Sequence, residues 1–328
     1  MMKRRTLIGA GGLWLAPLAS RAQPARKVHR IGMLGVGPNT ADMAGPKPAF
    51  PPIAALVAGL RELGYVYGET FVTEPRSAEG QVERFPGLVA ELIRLQVDVI
   101  VAAGPALAAC KQATSTLPIV MAGAEDPVGL GVIQSLARPG TNFTGLSQQS
   151  VETTVKKLEM LKELVPGAAP VAVLWDPAAL LGWKALQAAA RQRGWKLLSF
   201  EVHDATGIEA AIKAAAAAKA GALLPTGGLA FRHARRIAEL ALMSRLPAAY
   251  GNTAQVGDVG LLAYGADLTV IWHRAAVFVD KILRGAKPAD LAVEQPTTFK
   301  LTLNRKTAKV LGLTIPQTLL VRADEVIE

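Results

Sequence analysis

"MAGAEDPVGLGVIQSLARPGTNFTGLSQQ", residues 121–149, sets two adjacent carboxylates, a cluster of glycines and two prolines at the end of an apolar run. Its reading decides between an enzyme and a carrier. The run "PIVMAGA" (118–124) reads as a strand, so Glu125 and Asp126 stand at a strand's carboxyl end. That is the edge of an open α/β sheet where ligands gather. As acid–base catalysts the two would need a nucleophile or a metal beside them, and none is evident. As binding groups they meet a ligand ammonium or hydroxyl, or cap a helix beginning near Gly129, where carboxylates are favoured. Gly129-Leu130-Gly131 opens like a dinucleotide loop, but the third small residue such a loop needs falls on Gln134. "RPGTNFTGLSQQ" (138–149) then reads as a passage from one lobe to another.

Working outward, short apolar runs alternate with amphipathic ones. "HRIGMLGV" (29–36) is a strand, and residues 53–63 form a helix with Ile53, Leu56, Val57, Leu60 and Leu63 on one stripe before Gly64. A strand near 71–76, a helix over 81–95, the strand "VDVIVAAG" (97–104) and a helix from 106 follow. Strands apolar almost throughout belong to a parallel sheet covered on both faces. After residue 150 the alternation restarts: helix 151–165, strand "PVAVLWDP" (170–177), helix 180–194 closed by Gly194, strand "KLLSFEV" (196–202), helix 206–219, strand "GALLPTG" (221–227) and helix 231–245. "PAAYG" (247–251) closes this series. Beyond it, "GLLAYG" (260–265) is a strand, Asp267 caps a long helix to Gly285, and "FKLTLN" (299–304) leads into a short helix capped by Asn304. The predicted fold class is α/β: two doubly wound parallel-sheet lobes, with no Ser/Pro-rich linker between them, linked by a hinge.

Composition narrows the function classes. The chain has 328 residues, 51% hydrophobic and 19% charged, enough for a sizeable core. Its formal charge of +10 is spread over helical faces without an aromatic-interleaved basic block, so a solvated basic surface is expected and no nucleic-acid partner. His29, His203, His233 and His273 show no metal-ligand spacing, so neither metal nor cofactor is expected. No Gly-x-Ser-x-Gly elbow occurs, since Gly145-Leu146-Ser147 runs on into Gln148-Gln149.

The first residues read as an export signal. Lys3-Arg4-Arg5 precede an apolar run from Leu7 to Ala19, and Ser20-Arg21-Ala22 places small residues at the cleavage positions. The run is shorter than the ~20 residues a membrane span needs. The paired arginines resemble a twin-arginine signal, although no Ser precedes them; an ordinary secretory signal is the other reading. A mature periplasmic chain beginning near Gln23 is expected. Its one cysteine, Cys110, permits no internal disulfide.

The motifs "GLRELGYVYGE" (59–69), "RSAEGQVERFPGLVAELI" (76–93), "DPVGLGVIQSLARPGTNFTGLS" (126–147), "LEMLKELVP" (158–166) and the C-terminal stretch from Ile282 to Glu328 resemble one family over residues 28–328. It is that of the periplasmic substrate-binding components of ABC importers related to tryptophan- and amino-acid-binding proteins. The resemblance implies a type I periplasmic-binding fold with three crossings between lobes, a first lobe over 28–146 plus 261–288 and a second over 147–260 plus 289–328. It implies a monomer that binds a small organic solute, an amino acid or an aromatic or carboxylate-like molecule, and delivers it to an ABC permease and its ATPase. Residues 38–52 depart from the family's pattern and are expected to border the cleft.

Strand ends supply the candidate ligand-binding residues: Gly35, Gly104, Pro105, Glu125 and Asp126 from the first lobe, and Ser147, Gln149, Trp175, Asp176, Thr226 and Gly227 from the second. Asn252 and Tyr264 are placed on the hinge side. Small residues admit backbone N–H groups, and Trp175 offers a stacking face. Catalytic residues are not expected. The alternatives are a ligand-sensing subunit of a periplasmic receptor, or an exported hydrolase or lyase using Glu125 and Asp126.

Overall fold

The computed structural model describes residues 27–328 except 149, 253–256 and 258; the export signal expected over 1–22 and the candidate Gln149 lie outside the described residues. The first sheet is wholly parallel, in the order β2-β1-β3-β4-β5, with β1 His29–Gly35, β2 Phe71–Ser77, β3 Val99–Ala102, β4 Ile119–Ala124 and β5 Phe143–Ser147. Period-two alternation divides its side chains between two cores. Val99 and Val101 join Ile53, Leu56 and Leu60 of the Pro51–Glu62 helix and Ile271, Ala275 and Phe278 of the Leu268–Leu283 helix. Ile100 and Ala102 meet Leu88 and Leu92 of the Phe85–Arg94 helix and Leu107 and Cys110 of the Ala106–Ala113 helix on the other face. Burial on both faces is why these strands are apolar nearly throughout. The Cys110 thiol, packed in that core, is pushed up to about 12 by burial and stays protonated.

The second sheet begins with β6 Val171–Trp175, β7 Leu197–Glu201 and β8 Ala222–Thr226, parallel in the order β7-β6-β8. A bridge between Leu223 and Ala248 carries it on to β9 Ala249–Tyr250, β10 Leu262–Ala266, β11 Phe299–Asn304 and β12 Glu325–Ile327, with β10 and β11 antiparallel. The α/β fold class with parallel sheets therefore stands. Asp267 accepts the Thr269 N–H at 2.8 Å and Asn304 the Thr307 N–H at 2.9 Å, so both expected caps form.

Several expectations need correcting. The stretch 261–266, expected in the first lobe, belongs to the second sheet: β10 pairs with β9 and β11, and the chain changes sheet at Asp267. Conversely, Leu291 to Glu294 runs along the first sheet: Thr144 Oγ1 donates to Leu291 O at 2.7 Å, and Ser147 and Glu294 join β5 to this segment through two backbone hydrogen bonds of 2.9 Å. The passage expected over 138–149 contains β5, whose Phe143, Thr144 and Leu146 are buried. No helix opens at Gly129. Residues 127–131 form a turn that Gly131 stops, because its φ of 63° is left-handed and cannot propagate a right-handed helix. The helix expected over 231–245 is two, Gly228–Arg232 and Ala234–Met243, broken at His233. The chain thus passes between the two sheets after β5, after β10 and between Glu294 and β11.

Gly59 exposes a competition of local and tertiary effects. A Cβ there would lie 2.7 Å from His273 O and 2.8 Å from Ala276 Cβ, so the Pro51–Glu62 and Leu268–Leu283 helices meet backbone to backbone. Gly59→Ala gains about 1 kcal/mol of helix propensity but costs about 1–3 kcal/mol in overpacking. A lower urea midpoint is expected. Gly87→Ala, on the exposed face of Phe85–Arg94 with nothing within 4 Å, is expected to raise it.

Candidate functional site

A cavity lies where the carboxyl ends of both sets of strands meet. The first sheet contributes Glu125, directly after β4, and the passage beyond β5 contributes Gln148, whose Nε2 donates to Gly123 O at 2.9 Å. The Ser150–Leu164 helix presents Thr153, Thr154 and Lys157. Thr226 ends β8 and Gly227 follows it, while Tyr250 ends β9 and Gly251 and Asn252 follow. Tyr264 and Gly265 of β10 complete the wall, with Leu268 where the chain leaves for the first sheet. Gly265 is required by close approach, since a Cβ there would lie 2.1 Å from Gly251 O. Tyr264 stacks on Phe299, with ring centroids 5.8 Å apart, which fixes its orientation at the wall.

Opposite charges are buried here. Lys157 is 6% exposed, and burial lowers its ammonium to about 8 although Glu125 pulls the other way. Burial also raises the Glu125 carboxyl, the like charge of Asp176 raises it further, and Lys157 opposes both. In each group desolvation outweighs mutual attraction. Consistent with that, no ion pair within 4.0 Å joins Lys157 to Glu125 among the described residues. Both line the cavity. The Tyr250 hydroxyl, 3% exposed, is also pushed up by burial and stays protonated.

Of the residues expected to bind ligand, the structure brings together Glu125, Thr226, Gly227, Asn252 and Tyr264 at this cavity. The other described candidates are placed elsewhere. Gly35 lies under Met43, whose Sδ would meet a Cβ at 2.6 Å, and through Met43 the 38–52 segment enters the first core rather than the cavity wall. Gly104 and Pro105 open the Ala106–Ala113 helix. Ser147 holds the Glu294 segment through its backbone. Trp175 is no stacking face for a ligand: it shares strand parity with Val171 and Val173, stacks on Trp183 at 5.7 Å and 15°, and donates Nε1–H to Ser199 Oγ at 2.8 Å inside the second core. Asp176, 7% exposed, accepts the Leu229 N–H at 2.5 Å and so fixes the turn into Gly228–Arg232. Gly227 has to be glycine beside it, with φ 98° and Asp176 Oδ2 2.7 Å from where a Cβ would sit. Asp126 accepts the Gly129 N–H at 2.8 Å and its carbonyl accepts from Leu130, so it caps the turn after β4.

Sequence reasoning missed Lys157, Thr153 and Thr154. The signal was their spacing: they share the inward stripe of their helix with Leu158 and Leu161, a polar patch on a face that otherwise packs.

Two wound α/β sheets with a charged cavity at their facing strand ends define the architecture of type I periplasmic binding proteins. The chain belongs to the ABC transporter substrate binding protein family, whose model matches residues 53–327. Among characterised relatives, it is similar to a tyrosine-binding protein of Clostridioides difficile, 22% identical over 262 residues that span 78% of this chain and 75% of that one. Among solved structures, an ABC domain in complex with L-Trp from Streptococcus pneumoniae matches with TM-score 0.82 and 24% identity over 92% of this chain and 100% of the other. The ligand-free, open form of an adhesive substrate-binding protein from Clostridium difficile matches with TM-score 0.67 and 22% identity over 92% and 99%. No helix among the described residues is long and apolar enough to cross a membrane.

Two outcomes follow from these environments. Asp126→Ala is expected to cost about 0.5–2 kcal/mol in denaturant unfolding, as loss of a cap does, and to leave ligand affinity unchanged in calorimetry. Lys157 binds its proton less tightly folded than unfolded, so its penalty is full below about pH 8 and relieved as pH rises towards 10.5. The stability of the ligand-free wild type relative to Lys157→Met is therefore expected to rise between about pH 8 and pH 10, read as denaturation midpoints.

Proposed function

We propose that this chain is the exported solute-binding component of an ABC importer, that it binds an amino acid with an aromatic side chain in this cavity, and that it passes the ligand as a monomer to a membrane permease and its ATPase. The observation that carries the reading is the cavity itself, with a carboxylate from one sheet and an ammonium from the other's covering helix both held out of bulk water. Hydroxyls and amides of Thr154, Thr226 and Asn252 supply polar partners, while Ala230, Ala234 and Leu268 leave apolar space for a side chain. The tyrosine-binding relative and the tryptophan complex favour aromatic amino acids among zwitterions. The ligand acts by differential affinity: contacts from both sheets exist together only when the two approach each other, so binding favours that arrangement. An acid–base pair of Glu125 and Asp126 is disfavoured, because Asp126 is engaged in its turn and is absent from the cavity wall.

Isothermal titration with L-tryptophan, L-tyrosine and L-phenylalanine, beside aliphatic amino acids and sugars, tests this. One saturable aromatic ligand is expected, recovered chemically unchanged, which at 100 times its Kd stabilises the fold by about 2.7 kcal/mol. Conversion of the ligand, or binding of sugars in its place, would refute the assignment.

A further inference from the structure

Lys157 is a buried ammonium with three donors, and no described residue accepts a hydrogen bond from it. Glu125 is a carboxylate lining the same cavity, and it too has no direct cation within ion-pair distance among the described residues. Burying a charge without a partner is costly, several kcal/mol per ion even after relaxation. Proteins retain such groups where something else completes them. The gap between these two is the cavity, and each approaches it from a different sheet's framework: Glu125 from the end of β4, Lys157 from the helix that follows the first passage.

We infer that Lys157 and Glu125 form a split charge reader, in which Lys157 takes the ligand's carboxylate and Glu125 its ammonium, so that only a molecule carrying both groups on one carbon is bound tightly. This rests on the solute-binding reading above and adds the residues that set its charge selectivity. Asp176 does not replace Glu125 as the ammonium partner, because it does not line the cavity and one of its carboxylate oxygens accepts the Leu229 N–H. It reinforces Glu125 instead, since two nearby carboxylates attract a cation more strongly than one. An amine lacking the carboxylate leaves Lys157 without a partner. An acid lacking the ammonium leaves the carboxylate pair facing an empty place or forces a proton onto Glu125. Both analogues are rejected by what they leave unsatisfied.

The test is calorimetry on the whole protein with the aromatic amino acid that binds wild type best, its decarboxylated amine and its deaminated acid, as L-tryptophan, tryptamine and indole-3-propionate. Wild type is expected to bind the zwitterion at least about 30-fold more tightly than either analogue, the scale of truncating one partner of a buried charge pair. Glu125→Gln is expected to reverse the preference between zwitterion and acid, and Lys157→Met to weaken zwitterion and acid while sparing the amine. A merely structural role for either residue would weaken all three compounds alike, and that result overturns the inference. So does equal binding of the three by wild type. Should Lys157→Met fail to fold, the uncharged pair Lys157→Met with Glu125→Gln reads the same question: loss of all charge preference supports the inference, and a retained preference for the zwitterion overturns it. Failure of every amino acid to bind wild type refutes the proposed function and this inference together, whereas zwitterion binding with unaltered selectivity in the variants refutes only the latter.

Discussion

Parallel strands cannot turn back on their neighbours, and this constraint organises the molecule. Each strand must be followed by a crossover over a sheet face, so all carboxyl ends of a parallel sheet gather at one edge. In the first sheet that edge carries Glu125 after β4; in the second it carries Thr226 and Gly227 at the end of β8 and Tyr250 to Asn252 at the end of β9. Because both sheets obey the same rule, bringing those edges together creates a cavity lined by irregular backbone and polar side chains, while the apolar residues remain inside four separate cores. The site is thus a consequence of strand direction. Its chemistry then depends on which few residues stand at the ends.

Electrostatics selects among those residues. Asp126 and Asp176 each accept a backbone N–H, the aromatic Trp175 packs against Trp183, and none of the three lines the cavity. Glu125 and Lys157 are the charges left facing each other. Desolvation governs both, lowering the ammonium to about 8 and raising the carboxyl. In both groups the opposing attraction is the smaller cause.

Most of the architecture was legible because burial leaves a mark on sequence. The continuous apolar runs of β1, β3, β4 and β6 could only be strands covered on both faces, and the caps at Asp267 and Asn304 were set by local hydrogen bonding. What escaped was determined by partners distant in the chain. Nothing in "GLLAYG" says which sheet it joins; β10 is assigned by pairing with β9 and β11. Strand parity, already present in "VAVLW", would have turned Trp175 inward with Val171 and Val173. Lys157 was illegible for a different reason: a lysine on an amphipathic helix ordinarily lies in water, and only the cavity makes its inward position worth the desolvation.

That inward position bears on motion as well as recognition. When the sheets stand apart, Glu125 and Lys157 are separately hydrated and neither carries a desolvation penalty. When they approach with the cavity vacant, both lose water and gain only a weak attraction across the gap. With a ligand of matching charges between them, the same approach replaces the lost water by charge-assisted hydrogen bonds on both sides. Occupation therefore favours the closed arrangement further, because a ligand shifts an equilibrium by its differential affinity for the two states and by nothing else. The three passages, after Ser147, at Asp267 and beyond Glu294, are the covalent connections among the described residues that such a movement bends. Placing the two halves of one charge reader on opposite sides of them makes recognition and closure a single event.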